Sequence, residues 1–383
     1  MKALHIITGL GIGGAEQQLR LLLRHLPVDC DVVTLTNPGA VAAGLTADGV
    51  RVHHLGMTGN RDLPALPRLV RIIRNGGYDL VHTHLYRACV YGRLAARIAG
   101  VKAVVATEHS LGDSQMEGRS LNSGVRALYL ASERLGRSTV AVSPTVAERL
   151  KQWGVPGPRI EVVPNGIDLP RFRFDPVQRL RTRQRLGLPE DAYVVGGIGR
   201  LAAGKRFDVL IRTLTQLPSD YWLLLVGGGP EENLLRRTAH DCGVADRVLF
   251  TGERPYVPDG TPGPDLPSLT SAMDLLASPS PEEAFGLAVV EGLASGLPVL
   301  YASCPAVEDL PPQAAADAHR VQGGPEVFAR ALAAARAQGP RPRTAPDAAH
   351  HYCITRSAAQ LMDVYAAVST SSPSPAPQGA SSS

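Results

Sequence analysis

Almost from end to end, the chain alternates a short apolar run with an amphipathic stretch. "KALHIIT" gives way to "AEQQLRLLLRHL" and then to "DVVTLT", the pattern of a strand, a helix and a strand. Repeated, it points to a parallel sheet covered by helices, because parallel strands need a long crossover that a helix supplies. The series runs on through "LVHTHL", "AVVATEH" and "STVAVS", then breaks at "VVPNGIDLPRFRFDPVQRLRTRQRLGLPEDA", where prolines and arginines displace the period. It restarts with "YVVGGIGRL", "YWLLLVGGG", "RVLFTGE", "DLLASPS" and "LPVLYAS". Two Rossmann-like α/β halves follow, as a length of 383 residues also suggests. The expected division is a first domain over 1–168, a connection over 169–189 and a second domain over 190–345. A final helix over 346–368 is expected to pack back on the first domain, and a tail over 369–383, "STSSPSPAPQGASSS", is too poor in apolar residues to order. The loop "ERPYVPDGTPGPDL" from Glu253 to Leu266 reads as exposed, either decoration or a lid.

Composition narrows the partners. Hydrophobic residues at 44% and charged residues at 19% suit a globular protein, and 39 Lys+Arg against 35 Asp+Glu is too slight an excess to call for nucleic acid. No stretch has the pattern of a signal peptide or the length of a membrane span. Five cysteines show neither close pairs nor zinc spacing, which fits a reducing cytoplasm. Arg87, Arg93, Arg97 and the arginines from Arg171 to Arg185 leave open a peripheral contact with an anionic membrane face or acceptor; solvated helix faces explain them equally. High Ala, Arg, Gly and Pro usage suggests a bacterial source with a GC-rich genome.

In such sheets ligands collect beyond the carboxyl ends of the strands, where helix N-termini point outwards. The first strand ends in "TGLGIGGAE", whose Gly11, Gly13 and Gly14 let backbone approach a ligand or simply make a tight turn. "GIGRLAAGKRFDVL" places Arg200 and Lys205 near a helix start, a pair suited to a diphosphate or to plain solvation. "LVGGGPEENLL" repeats the arrangement at Gly227 to Gly229. In "EAFGLAVVEGLASGLPVL", a helix starting near Phe285 or Gly286 would leave Glu283 in the loop before it and Glu291 over a turn inside. One carboxylate can then face a sugar and the other accept from vicinal hydroxyls such as those of ribose. The amides of Phe285, Gly286 and Leu287 fall where a helix leaves donors unsatisfied. Complementing the helix dipole is the plain alternative for Glu283.

With "GGAE", "VPNGID", "GRLAAGKRFDVL", "VGGGP" and "SPSPEEAFGLAVVEGLASGLPVL", the chain resembles retaining glycosyltransferases of family four, which share the GT-B architecture, from about Leu4 to about Val368. The resemblance implies that Arg200 and Lys205 grip the diphosphate of a nucleotide-sugar donor, that Glu291 binds the ribose hydroxyls and that Glu283 lies near the donor sugar. It places Gly13 and Gly14 against donor and acceptor, adds Gly228, Phe285, Gly286 and Leu287 to the donor site, and sets His109 of "VVATEHS" beside the reacting sugar. Catalytic roles thus fall on His109, Glu283, Arg200 and Lys205. His82 and His84 of "LVHTHL", with Glu16, are candidates for the unidentified hydroxyl acceptor, and packing is equally open for the two histidines. Asn165 and Gly166 match a crossover motif, where a turn is the alternative. The loop "ASCPAVEDLPP" departs from the family pattern, which puts contacts by Glu308 in doubt. The implied reaction moves a hexose-type sugar from a UDP-sugar with retention, without a metal or other cofactor. A nucleotide-sugar 2-epimerase of the same architecture and a noncatalytic nucleotide-sugar binder are the other readings.

Overall fold

The computed structural model describes residues 1–59, 62–112, 115–116, 119–120, 122–254 and 263–370. The centre of the expected Glu253–Leu266 loop and most of the expected tail lie outside the described residues.

The first sheet has seven parallel strands: β1 (Lys2–Ile7), β2 (Asp29–Thr34), β3 (Arg51–His54), β4 (Leu80–His84), β5 (Ala103–Glu108), β8 (Ser138–Ala141) and β9 (Ile160–Val162), in the order β3-β2-β1-β4-β5-β8-β9. Between β5 and β8 runs a small antiparallel ribbon, β6 (Gln115–Met116) with β7 (Arg119–Ser120). The second sheet joins β10 (Tyr193–Ile198), β11 (Tyr221–Val226), β12 (Val248–Phe250), β13 (Leu275–Ser278), β14 (Val299–Tyr301) and β15 (Ala318–Arg320) in the order β12-β11-β10-β13-β14-β15. Each sheet reverses its winding beside its first strand, between β1 and β4 and between β10 and β13. Ligand crevices open at such reversals.

Local chemistry sets the helices. In "SPTVAERLKQWG" Ser143 Oγ accepts from Val146 N at 3.1 Å, Pro144 starts the helix Pro144–Trp153, and Gly154 ends it at φ 104°. The same Ser143 hydroxyl donates to Ala284 O of the second domain at 2.8 Å. An apolar cluster crosses the junction too, with Val142 and Val146 of the first domain packed with Phe285 and Val289 of the second.

The connection is itself helical. Asp175 accepts from Val177 N and Gln178 N, Pro176–Leu186 forms a helix, and Gly187 closes it at φ 66°. Three of its arginines hold the fold together, while Arg173, Arg181 and Arg185 are exposed. Arg171 pairs with Asp265 at 3.1 Å, Arg179 with Asp274 at 2.6 Å and Arg183 with Asp274 at 3.2 Å, which ties the connection to the second domain. Of the arginines, Arg93 alone is corrected. Fully buried, it donates to Ser132 Oγ and Thr139 Oγ1 and lies over the Tyr129 ring, so it offers nothing to a membrane or acceptor. Among the described residues no helix is long and apolar enough to cross a membrane.

After the second sheet the chain returns. Ile167 N donates to Tyr352 O at 2.8 Å and Ile354 N to Ile167 O at 2.9 Å, so outgoing and returning segments run side by side. They touch at Gly166, where a Cβ would fall 2.5 Å from Ile354 Cα. The last helix, Ile354–Thr370, then buries Ala358, Leu361, Val364 and Tyr365 against Ala3, Leu19 and Val105 of the first domain.

Candidate functional site

The glycine-rich loops after β10 and β11 lie against one another. Gly199 N donates to Val226 O, Leu201 N to Gly228 O and Glu231 N to Leu201 O, all at 2.9 to 3.0 Å. A Cβ on Gly227 would fall 2.0 Å from Gly199 O, and one on Gly229 would fall 2.4 Å from Leu201 O. Both glycines also have positive φ, so the run of three answers a backbone crossing that no side chain could enter. Gly228 faces Glu253, whose Cγ a Cβ would approach to 2.9 Å. Arg200 extends from this loop exposed. Lys205 closes a single 3₁₀ turn, Ala203–Lys205, before Arg206 at φ 54° and the helix Phe207–Thr213.

Lys205 Nζ meets Glu283 Oε1 at 2.5 Å, with the lysine side chain 32% and the glutamate 15% exposed. This pair joins the loop after β10 to the segment leading into the helix Leu287–Ala294. Gly286 caps that helix at φ 99°, held close to the Cys304 sulfur, which a Cβ would approach to 2.5 Å. The Phe285 ring is buried edge-on against Tyr352, which leaves only the Phe285 backbone for a ligand. Glu291 faces inward from the helix at 1% exposure. Glu308 turns back on its own helix, accepting from Cys304 N at 3.1 Å.

The first domain meets this helix start directly. Gly13 precedes the helix Gly14–Leu23 in extended conformation, and a Cβ on it would strike the Glu16 carboxylate. A Cβ on Gly14 would touch Leu287 Cδ1 at 3.4 Å, so the glycine loop and the glutamate helix face across the domain junction. Arg149 reinforces the junction, donating to Leu111 O at 3.0 Å and to Glu283 O at 3.3 Å.

His109 stands just past β5, its Nε2 3.1 Å from His84 Nδ1. His84 Nε2 is 3.0 Å from His5 Nδ1. His82 contacts Tyr365 OH through Nδ1 and Thr107 Oγ1 through Nε2, both at 2.7 Å, and Tyr365 OH lies 3.4 Å from His5 Nε2. Burial strips these rings of water and favours the neutral form, lowering His5 to about 3 and His109 to about 4 and pushing His82 and His84 well down. The acceptor candidacy of His82 is therefore corrected. It has 0% exposure and both nitrogens engaged in the core, the packing alternative. His84, 1% exposed, backs His109 instead. A cavity of about 30 Å³ lies beside them, lined by His84, Thr107, His109, Gln18 and Asn165.

Among the described residues, His5, His82 and His84 form the one group close enough to hold a metal, with ring nitrogens within 4.8 Å. Their nitrogens are already engaged with one another and with Tyr365, Thr107 and His109. Sequence reasoning missed His5, Tyr365, Ser143 and Arg149. Only the capping pattern of Ser143 was readable beforehand; the other three depend on which strands and domains become neighbours.

Comparison with known proteins agrees with this architecture. Residues 12–171 match the model of Glycosyltransferase Family 4 and residues 178–341 that of Glycosyl transferases group 1. A D-inositol 3-phosphate glycosyltransferase of Salinispora arenicola is 33% identical over 316 residues, covering 76% of this chain and 69% of that protein. A 2-deoxystreptamine glucosyltransferase of Streptomyces kanamyceticus is 29% identical over 247 residues, 61% of this chain and 62% of its own length. The crystal structure of HepE from Anabaena in complex with UDP and glucose superposes with a TM-score of 0.81 at 23% identity, covering 96% of this chain and all of that one. A glycosyltransferase from Rickettsia africae gives a TM-score of 0.75 at 18% identity, covering 97% of this chain and 99% of that one. Two parallel sheets meeting across a glycine loop and a glutamate helix make this the GT-B architecture, and the chain belongs to glycosyltransferase family four.

Proposed function

We propose that the chain transfers a hexose-type sugar from a UDP-sugar to an acceptor hydroxyl with retention at the anomeric carbon. The observation that carries the reading is the 2.5 Å Lys205–Glu283 pair beside the helix start that faces Gly14. The pair sets a cation and a carboxylate together at the junction of the domains. Lys205 has three donors, enough to hold Glu283 and a phosphate oxygen at once. As the glycosidic bond breaks, negative charge grows on the departing diphosphate. Arg200, Lys205 and the amides at the start of the Leu287–Ala294 helix then stabilise that charge more than they stabilise the bound donor. Glu283 positions the sugar, Glu291 receives the ribose hydroxyls, and His109 shapes the sugar pocket. The departing phosphate takes the acceptor proton on the front face, and no metal enters the scheme.

UDP and UDP-glucose are the ligands of HepE structures that share this fold, which supports the donor class. The named relatives act on inositol 3-phosphate and on 2-deoxystreptamine, both hydroxylated cyclohexanes, so a cyclitol hydroxyl is the first acceptor class to test. The test is a panel of nucleotide sugars assayed for nucleotide release with cyclitol acceptors, in the presence and absence of EDTA. Linkage is read by NMR of the product. Release of UDP with an α-linked product from an α-linked donor is expected, unchanged by EDTA. Inversion, or interconversion of the sugar nucleotide without acceptor, would overturn the reading.

A further inference from the structure

We propose that whether His109 donates or accepts a hydrogen bond at Nδ1 is set from behind, by a buried chain of hydrogen bonds through His84, His5, Tyr365 and His82. This rests on the glycosyl-transfer reading and makes His84 and His5 positioning residues for it.

The sheet builds the chain. His5 and His82 are register partners on the adjacent strands β1 and β4, and His84 lies two residues along β4 on the same face. Thr107, opposite His84 on β5, accepts or donates at His82 Nε2, and His109 follows two residues later. Four imidazoles therefore step from the domain core towards the carboxyl ends of the strands. Tyr365 of the last helix bridges His82 and His5.

A neutral imidazole has one donor and one acceptor nitrogen, so the tautomer of each ring dictates that of the next. In one polarity His5 Nδ1–H donates to His84 Nε2, His84 Nδ1–H donates to His109 Nε2, and His109 keeps its proton on Nδ1. In the other, His109 Nε2–H donates to His84 Nδ1, His84 Nε2–H donates to His5 Nδ1, and His109 Nδ1 is a bare acceptor. Tyr365 OH donates to His5 in the first case and to His82 in the second. Both polarities keep every ring neutral, as the loss of water around the three buried rings and half-buried His109 favours. The chain has an open end. Among the described residues, His109 Nδ1 is buried without a protein partner, and His109 borders the cavity of about 30 Å³, room for a water.

The experiment is ring-nitrogen NMR on protein labelled with [15N]histidine, as wild type, His84→Phe and Tyr365→Phe, alongside steady-state kinetics and metal analysis. In the wild type His109 should show one protonated and one bare nitrogen. Tyr365→Phe is remote from His109 and replaces one hydroxyl. It should alter the ratio of His109 tautomers and lower kcat about tenfold, less than the roughly hundredfold that a displaced reacting group costs, with donor KM held within about twofold. His84→Phe should leave His109 a mixture of tautomers. Wild-type His109 nitrogen signals in Tyr365→Phe would overturn the proposal, as would a charged His109 or a metal ion retained by His5, His82 and His84. Should the wild type release no nucleotide from any donor, the glycosyl-transfer reading fails, and the nitrogen spectra still decide the chain.

Discussion

Replacing Lys205 tests the site most directly, because the lysine has two separable roles. In the folded chain it neutralises Glu283, and in the proposed reaction it meets the departing diphosphate. The pair is 32% and 15% exposed, between a surface pair worth about 0 to 1 kcal/mol and a buried one whose rupture costs about 3 to 5. Lys205→Met should therefore destabilise the fold by about 1 to 2 kcal/mol, a fall in Tm of a few degrees for a chain of this size. The kinetic loss should be much larger. Removing one preorganised donor from a developing oxyanion costs about 2.7 to 4 kcal/mol, a factor of about 10² to 10³ in kcat. The double variant Lys205→Met with Glu283→Gln leaves no charge unpaired, so its Tm should recover while its kcat stays low. Nucleotide release at saturating donor, with thermal melts of Lys205→Met, Glu283→Gln and the double variant, completes the cycle. If the double variant regained kcat within about threefold of wild type, Lys205 would serve only to quiet Glu283, and the proposed transition-state role would be refuted.

Other outcomes follow from the packing. Buried His5, His82 and His84 and half-buried His109 stay neutral in the folded chain, His5 down to about 3 and His109 to about 4, whereas in the unfolded chain they take up a proton near 6.5. From about pH 6.5 down to 4 the unfolded form binds more protons, so stability is greatest above that window and falls through it, by up to about 1.4 kcal/mol per pH unit for each histidine. A Tm that stays flat between pH 7 and 5 would contradict this. Gly227→Ala sets a Cβ 2.0 Å from Gly199 O at φ 142° and should cost at least about 3 kcal/mol or abolish soluble expression. Gly11→Ala, with nothing within 4 Å among the described residues, should melt like wild type in the same assay. Asp274 accepts from Arg179, Arg183 and Val194 N, so Asp274→Ala should lose about 2 to 4 kcal/mol by denaturant titration, and an unchanged midpoint would count against the staple.

The doubly wound halves were legible because parallel strands buried on both faces read as apolar runs, five in each series, whereas the short, partly exposed edge strands β3, β9 and β15 gave no such signal. The cap signals of the connection were legible too, Asp175–Pro176 at one end and Gly187 at the other, although the prolines and arginines suggested an irregular link. Site residues were readable singly and not in combination. Lys205 and Glu283 each stood out, yet their contact spans 78 positions and depends on β10 lying beside β13. His82 and His84 looked like strand-end groups because their strand ends there, but the last helix covers them, and nothing near "LVHTHL" announces that cover. Arg93 misled for a similar reason. It shares a helix with exposed Arg97, but Tyr129, Ser132 and Thr139 from neighbouring elements enclose it.

The homecoming of the last helix means that no single cut divides this protein into its two halves. Residues 1–168 produced alone would lack Leu361, Val364 and Tyr365, one wall of their own interior, and should be insoluble without a separately supplied C-terminal peptide. The two strands of chain that pass the junction together at Ile167 and Cys353 also limit relative motion. A lone tether would let the halves swivel freely, whereas a paired one confines any bending to a shared axis.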